Sequence, residues 1–231
     1  MNQILSNIPL EDVKAAIFDL DGTLIDTERI YRQIWPKTMA SLGYVMKDDQ
    51  YLAMRSLGRP FAPKQMKEWF GKDFDYDNAR KVRSKFFNEY IDEHGIQRKK
   101  GAIELLDYLK DHNIVTAIAT ATDVERAVRF LKMTGLDGYF DKVISATDVA
   151  EGKLSPYVYQ YACKELGLSP EVCVAFEDAP NGIRSAHSAG LRVVMIPDQT
   201  EPDESLNGMY IACLSDLESA IQLFAKEQFN E

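Results

Sequence analysis

The sequence has few cysteines, no excess of positive charge and no long apolar run, three features that would each indicate a particular class of protein. Its three cysteines are odd in number and widely spaced, so neither a disulfide framework nor a paired cysteine metal or redox site is predicted. Its net charge of −9 argues against binding to a nucleic-acid backbone. No uncharged apolar run approaches the ~20 residues that span a bilayer. We therefore expect a cytoplasmic protein without a targeting segment, membrane contact or nucleic-acid partner.

What the chain does contain is typical of a globular α/β protein, with 45% hydrophobic and 27% charged residues. Short apolar runs alternate with segments of helical periodicity, at residues 15–18, 115–119, 142–145, 173–176 and 193–196. Runs that are apolar on both faces predict parallel strands covered by helices on both sides of the sheet. Gly135, Gly167 and Gly190 each follow a helical segment and precede leucine, as expected of glycines that end helices. The expected core is a Rossmann-like parallel sheet flanked by helices.

Residues 27–97 interrupt this alternation and contain no apolar strand run. They carry many aromatic residues at helical spacing, which we interpret as a helical core and not as a cofactor site: Trp35, Trp69, Phe70, Phe74, Phe86, Phe87 and Tyr90. We predict an all-helical cap domain at 27–97, inserted into an α/β catalytic core formed by 1–26 and 98–231. The chain crosses between these domains twice, so relative motion about a two-stranded hinge is expected.

Two aspartates follow the first predicted strand directly. Asp19 and Asp21 stand one residue apart, and Gly22 allows a turn after them. In an open parallel sheet, ligands bind beyond the carboxyl ends of the strands, so both acids are expected to face one cleft. Adjacent carboxylates repel each other and any phosphate unless a cation offsets the charge. The alternative is that the two acids only form a turn before the glycine.

A second acidic pair, Glu177 and Asp178, follows the strand at 173–176. With Asp19 these carboxylates are expected to surround one Mg²⁺ ion, which prefers oxygen ligands and keeps several waters. Taken alone, Asp178 is explained more simply as the cap of a helix that begins near Pro180.

Hydroxyl and ammonium groups are predicted near the same edge of the sheet. Thr122 begins the pattern Thr-Asp-Val-Glu, which fits a capping box, so Thr120 is the hydroxyl left to donate to a phosphate oxygen. Lys153 precedes Ser155 and Pro156, which we read as the N-cap and first residue of a helix. A lysine in that place is expected to hold phosphate and nucleophile together.

These motifs together resemble the haloacid dehalogenase superfamily, in the branch of phosphatases and mutases with a helical cap inserted after the first strand. Four motifs occur in the family order and span nearly the whole chain: Asp19 to Thr23, then Thr120, then Lys153, then Glu177-Asp178 with Asn181-Gly182. An ordered set of motifs is far more specific than any one of them.

The resemblance implies a Mg²⁺-dependent phosphatase that hydrolyses a small phosphorylated metabolite, such as a sugar phosphate. It implies that Asp19 is the nucleophile that forms an aspartyl-phosphate, and that Asp21 acts as general acid and then as general base. Thr120 and Lys153 would hold the transferring phosphoryl group. Asp19, Asp178 and the main-chain carbonyl of Asp21 would bind Mg²⁺, supported by Glu177.

Two alternatives stay open at this point. A phosphomutase resembling β-phosphoglucomutase uses the same motifs, but Tyr31 stands where that mutase has a cap histidine, and Arg59 follows Gly58 too closely to match its cap arginine. A catalytically idle binding protein on the same fold is the other alternative. Leu154 also departs from the family pattern, in which proline usually stands directly after the lysine. Specificity is expected to lie in cap residues, for which Tyr31, Arg55, Arg59 and Lys64 are candidates.

Overall fold

The protein is described here from a computed structural model, which covers residues 2–6, 9–54, 61–146 and 155–224. One mostly parallel sheet lies at its centre. Its strands are β1 (Gln3–Ile4), β2 (Ala15–Phe18), β3 (Val115–Thr120), β4 (Lys142–Ser145), β5 (Cys173–Glu177), β6 (Arg192–Met195) and β7 (Ala212–Cys213). Their order across the sheet is β1-β7-β6-β5-β2-β3-β4, and only the pair of β1 and β7 is antiparallel. The five predicted strands are confirmed, and the two short strands β1 and β7, at one end of the sheet, were missed.

The helices in the described residues fall into two groups along the chain. Residues 27–94 contain α1 (Thr27–Ser41), α2 (Asp48–Met54), α3 (Phe61–Phe70) and α4 (Tyr76–His94). The helices that alternate with the strands are α5 (Ala102–Asp111), α6 (Val124–Thr134), α7 (Tyr157–Leu166) and α8 (Pro180–Ser188). The predicted βαβ alternation is therefore present.

The two faces of the sheet are covered by different helices. On β2, Ala16 and Phe18 belong to one hydrophobic cluster with residues of α5 and α6, whereas Ala15 and Ile17 belong to a second with residues of α7 and α8. Successive strand residues point to opposite faces, so a strand that is buried on both faces must be apolar throughout. This is why the central strands read as uninterrupted apolar runs in the sequence.

Glycines end two of these helices as predicted. Gly135 and Gly167 adopt left-handed backbone conformations, with φ of 66° and 68°, at the ends of α6 and α7. The amide of the next leucine then donates back into the last turn, from Leu136 to the Leu131 carbonyl and from Leu168 to the Cys163 carbonyl. Such a glycine satisfies carbonyl groups that the helix end leaves exposed.

Aromatic side chains fill the interior of the helical segment, as expected. Trp35, Phe74 and Phe87 are buried, and Phe70, Phe86 and Tyr90 pack against them while partly exposed. The two connecting segments that lead into and out of the helical segment are hydrogen-bonded to each other. The Asp26 amide donates to the Gln97 carbonyl, and the Lys99 amide to the Leu24 carbonyl, each at 2.9 Å. The domain boundaries at 26/27 and 97/98, and the motion about them, stay predictions.

No helix in the described part of the chain combines the length and the apolar character needed to cross a membrane.

Candidate active site

Asp19 is positioned by β2, an interior strand of the sheet. It follows β2 directly, and its backbone amide donates to the Phe176 carbonyl of β5 at 2.9 Å. Phe18 and Phe176 are register partners, so Asp19 and Glu177 lie side by side where the two strands end. Both carboxylates are almost fully buried, with exposures of 2% and 0%. The parallel pairing of β2 and β5 thus brings together two acids that are 158 residues apart in the chain.

Three buried carboxylates form a cluster at this edge. One oxygen from each of Asp19, Glu177 and Asp178 lies within 4.8 Å of the other two. Charges this close and this well shielded from water repel strongly unless a cation offsets them. Carboxylate oxygens are the ligands that Mg²⁺ prefers, and one or two of them with a substrate phosphate satisfy it. The donor set therefore fits Mg²⁺.

Two glycines allow the chain to come close to this cluster. Gly22 has φ of 95°, and a Cβ added there would lie 2.4 Å from Oδ2 of Asp178. A Cβ added to Gly182 would lie 2.2 Å from both carboxylate oxygens of Glu177. Non-bonded carbon and oxygen atoms do not approach each other this closely. Both carboxylates therefore occupy space that only glycine leaves open.

Tyr159 of α7 also contacts the cluster, although the sequence did not predict this role. Its hydroxyl donates to Oε1 of Glu177. Burial, followed by the negative charge of Glu177, raises the pKa of Tyr159 well above its usual range, so the phenol keeps the proton that it donates. A tyrosine at a helical position in an apolar stripe carries no sequence signal that separates this role from ordinary packing.

Asp21 lies beside the cluster, and its carboxylate is held by two threonines, one at the start of α1 and one just before α6. The Thr27 hydroxyl at the start of α1 donates to Oδ1 at 2.6 Å. The Thr122 hydroxyl, just before α6, donates to Oδ2 at 2.7 Å. Both carboxylate oxygens are therefore oriented, and a side chain that only formed a turn would not need such partners. Thr27 was not predicted as a site residue from the sequence.

The predicted roles of Thr120 and Thr122 need a correction. Asp123, and not Thr122, is the N-cap of α6, because its carboxylate accepts from the Arg126 amide at 3.0 Å. The predicted capping box is therefore wrong, and the Thr122 hydroxyl is used by Asp21. The Thr120 hydroxyl is buried and not free: it accepts from the Thr122 amide at 3.0 Å and lies 3.5 Å from Oδ2 of Asp21.

Helix starts differ from prediction at two more places. The N-cap of α8 is Ala179, so the alternative in which Asp178 caps this helix is wrong. Helix α7 begins at Tyr157 with Pro156 as its N-cap, one residue later than predicted. Pro156 therefore directly precedes the helix, where its missing amide proton is not needed.

Several predicted residues lie outside the described part of the chain. They are Lys153 with its neighbour Leu154, and the cap residues Arg55, Gly58 and Arg59. Lys64 is described and is exposed on α3.

Tyr31, which stands where the related mutase has a histidine, is buried on α1 and points toward the core. Its hydroxyl accepts a hydrogen bond from Nη2 of Arg126 at 2.5 Å. Burial raises the pKa of Tyr31, which the positive charges of Arg83 and Arg126 offset only in part. A phenol that keeps its proton does not replace histidine as an acid and base near neutral pH.

Comparison with known proteins agrees with this arrangement. The sequence model of the haloacid dehalogenase-like hydrolases matches residues 13–190. The chain is 35% identical over 199 residues to the protein CbbY of Rhodobacter capsulatus, covering 81% of this chain and 87% of that protein. It is 31% identical over 185 residues to a phosphorylated carbohydrates phosphatase of Thermotoga maritima, covering 78% and 82%.

A solved structure shows the same fold over most of both chains. It is a variant of CbbY from Rhodobacter sphaeroides in complex with xylulose-(1,5)bisphosphate, with a TM-score of 0.77 and 26% identity, covering 89% of this chain and 95% of that one. The strand order, the carboxylate cluster and these relatives lead to one assignment. The chain belongs to the haloacid dehalogenase-like hydrolase family and is a phosphoric monoester hydrolase.

Proposed function

We propose that the protein is a Mg²⁺-dependent phosphatase that hydrolyses a small phosphorylated metabolite through an aspartyl-phosphate on Asp19. The observation that carries the proposal is the buried cluster of Asp19, Glu177 and Asp178 with the oriented carboxylate of Asp21 beside it. The cluster offers a nucleophile and a cation site, and Asp21 offers an acid and base. These are the groups that phosphoryl transfer to a carboxylate and then to water requires.

Asp19 and Asp178 would hold Mg²⁺ together with the main-chain carbonyl of Asp21, and Glu177 would support them. When bound, the ion neutralises charge on the phosphoryl oxygens and reduces their repulsion from the carboxylates. Thr120 and Lys153 would contribute further donors to the same oxygens.

The chain's own side chains account for the two steps. A carboxylate oxygen of Asp19 forms a bond to phosphorus as the bond to the ester oxygen breaks. Asp21, in its protonated form, gives its proton to the departing alcohol. Asp21 then takes a proton from water as that water attacks phosphorus, which releases phosphate and restores Asp19. Thr27 and Thr122 keep the Asp21 carboxylate directed through both proton transfers.

The substrate class we propose is a phosphorylated sugar or a similar small metabolite. The name of the Thermotoga maritima relative and the ligand of the CbbY structure both support a phosphorylated carbohydrate. The net charge of −9 disfavours a nucleic acid as the phosphate carrier. The three cysteines are free and buried, which is compatible with the reducing cytoplasm that we propose as its location.

A mutase is the second candidate, and the observation at Tyr31 counts against it. The mutase histidine is replaced by a phenol whose hydroxyl is already bound to Arg126. We therefore favour transfer of the phosphoryl group to water.

The test is release of alcohol from para-nitrophenyl phosphate with and without Mg²⁺. We expect release that depends on Mg²⁺ and falls by about 10³-fold or more in Asp19→Asn, because the covalent route is lost. Asp137→Asn, a change of the same kind on the surface, should leave the rate unchanged. No release by the unmodified protein would favour the binding protein, and interconversion of sugar phosphates would favour the mutase.

A further inference from the structure

Two of the three cysteines lie next to each other, although they are ten positions apart in the chain. Cys163 is near the end of α7, and Cys173 is the first residue of β5. Both are buried in the same hydrophobic cluster, with exposures of 2% and 0%. The Cys163 thiol donates a hydrogen bond to the Cys173 sulfur, and the Cys173 thiol donates to the Ser169 carbonyl at 3.4 Å. The two sulfur atoms therefore face each other between the helix and the strand.

The two thiols of this pair differ in how firmly they hold their protons. The hydrogen bond to Cys173, followed by burial, raises the pKa of the Cys163 thiol. The same hydrogen bond lowers the pKa of Cys173 in spite of burial, and the positive charge of Arg192 lowers it further. Because the thiolate is the reactive form of cysteine, Cys173 is the member of the pair that attacks first.

Ordinary packing explains only part of this arrangement. Cysteine is often buried as a small apolar residue, and Cys213 of β7 is such a case, since burial raises the pKa of its thiol. Burial alone does not bring two thiols into hydrogen-bonding contact, and it does not lower the pKa of one of them. Adjacent sulfur atoms on a helix and a strand are the starting arrangement for a disulfide.

A second contact joins the same helix and strand at the candidate active site. Tyr159 precedes Cys163 by four residues on α7, and its hydroxyl donates to Glu177, the last residue of β5. Residues four apart share a face of a helix, and residues four apart also share a face of a strand. The cysteine pair at the first residue of β5 and the Tyr159–Glu177 pair at its last residue therefore join the same two surfaces.

We propose that Cys163 and Cys173 form a site of reversible oxidation, at which hydrogen peroxide creates a disulfide between α7 and β5. The Cys173 thiolate attacks one peroxide oxygen, which gives a sulfenic acid and hydroxide, and the hydroxide takes up the proton that Cys173 lost and becomes water. The Cys163 sulfur then attacks the sulfenic sulfur, and its proton leaves with the hydroxyl group as a second water. Both sulfur atoms are oxidised and both peroxide oxygens are reduced, and a thiol reductant reverses the change.

The disulfide has a consequence for the active site. A covalent bond brings the sulfur atoms closer than hydrogen-bonded thiols, so the end of α7 must move toward β5. Tyr159, one turn earlier on α7, then shifts relative to Glu177. Since Glu177 would support the Mg²⁺ ligands, the oxidised protein should bind Mg²⁺ more weakly. This consequence rests on the proposed function, whereas formation of the disulfide does not.

Peptide mapping of the full-length protein tests for the disulfide directly. The protein is treated with hydrogen peroxide, unfolded in N-ethylmaleimide to block the remaining thiols, and digested with trypsin without a reductant. Trypsin cleaves after Lys164, between the two cysteines, so a disulfide joins two peptides that reduction separates. We expect this joined pair, about 2 Da lighter than the two peptides together, with maleimide on Cys213. Three blocked cysteines, or a disulfide that includes Cys213, would overturn the inference.

Serine variants test the order of attack, and Cys213→Ser is the matched control, which should form the disulfide as fast as the unmodified protein. Cys163→Ser keeps a hydroxyl donor beside Cys173 but cannot close the disulfide, so dimedone, which traps sulfenic acids, should label Cys173. In Cys173→Ser, labelling of Cys163 should be about tenfold slower or more, because that thiol keeps its proton. Equal labelling of the two cysteines would contradict the assignment of Cys173 as the first to react. The mapping of the unmodified protein does not depend on whether these variants fold.

Calorimetric titration with Mg²⁺ tests the link to the active site and separates it from the proposed function. Oxidation should weaken Mg²⁺ binding by the unmodified protein about threefold or more, and dithiothreitol should restore it. Cys173→Ser, which cannot form the disulfide, should bind Mg²⁺ equally before and after peroxide. Equal Mg²⁺ binding by the reduced and the disulfide-containing protein would refute the link. If neither form binds Mg²⁺, the proposed function fails, while a mapped disulfide still supports the oxidation site.

Discussion

Replacing Gly182 by alanine tests whether the carboxylate cluster depends on close approach of α8. The added Cβ would lie 2.2 Å from the carboxyl carbon and both carboxylate oxygens of Glu177. Ordinary contact between such atoms begins near 3.4 Å, so Glu177 must move by about 1.2 Å or more. A displacement of about 1 Å in a catalytic arrangement can reduce the rate about 10²-fold, and overpacking of a buried site costs about 1–3 kcal/mol.

Helix propensity alone predicts that the same change stabilises the fold. Gly182 lies inside α8, where alanine is favoured over glycine by about 1 kcal/mol. We expect the steric effect to dominate, so Gly182→Ala should lower the melting temperature and require more Mg²⁺ for half-maximal activity. The assays are thermal unfolding and a Mg²⁺ titration of para-nitrophenyl phosphate hydrolysis.

Gly138→Ala is the matched control. Gly138 does not have a positive φ, and no atom lies within 4 Å of a Cβ placed there, so this change should leave both readouts unaltered. If Gly182→Ala is as stable and as active as Gly138→Ala, at the same Mg²⁺ concentration, then Glu177 is not held against the α8 backbone as described.

Three further predictions concern single side chains. Thr122→Val removes a donor to Asp21 and should lower kcat about tenfold with little change in KM. Tyr159→Phe leaves an oxygen of Glu177 without its phenol donor and should destabilise the fold by about 1–3 kcal/mol and weaken Mg²⁺ binding. At Asp216, burial alone would raise the pKa, but hydrogen bonds from Lys100 and Ser219 lower it to about 2. This depressed pKa stabilises the fold above about pH 4, and the contribution is lost toward pH 2. In Asp216→Asn the free energy of unfolding, measured with urea, should therefore fall less steeply between about pH 4 and pH 2 than in the unmodified protein.

Each of these predictions has a result that would count against it. An unchanged kcat in Thr122→Val would mean that Asp21 does not depend on this hydroxyl. Unfolding of Tyr159→Phe at the same temperature as the unmodified protein would argue that the phenol only fills space. Parallel stability curves for Asp216→Asn and the unmodified protein below pH 4 would contradict the depressed pKa.

The central strands were predictable because both of their faces are buried. A strand such as β2 or β5 must then be apolar at every position, and such runs are visible in a single sequence. Strands β1 and β7, at one end of the sheet, are two residues long each and were not predicted. So short a strand has no periodicity, and its pairing depends on neighbours that are distant in the chain.

The site was only partly predictable for a related reason. Acids that follow apolar strands at Asp19 and Glu177 are a local signal, and the parallel register brings them together. The supporting groups carry no such signal. Thr122 and Asp123 are both good helix caps, and only the position of Asp21 shows that the Thr122 hydroxyl binds Asp21 while the Asp123 carboxylate caps α6. Tyr159 looks like a core residue until Glu177 is seen beside it.

The most direct test of the account is an anomalous difference map from crystals soaked in Mn²⁺, which substitutes for Mg²⁺ at oxygen sites. We expect one strong peak bonded to carboxylate oxygens of Asp19 and Asp178, and its loss in crystals of Asp178→Asn. A map without a peak between these two side chains, or a peak that persists in the variant, would contradict the proposed metal site and the chemistry built on it.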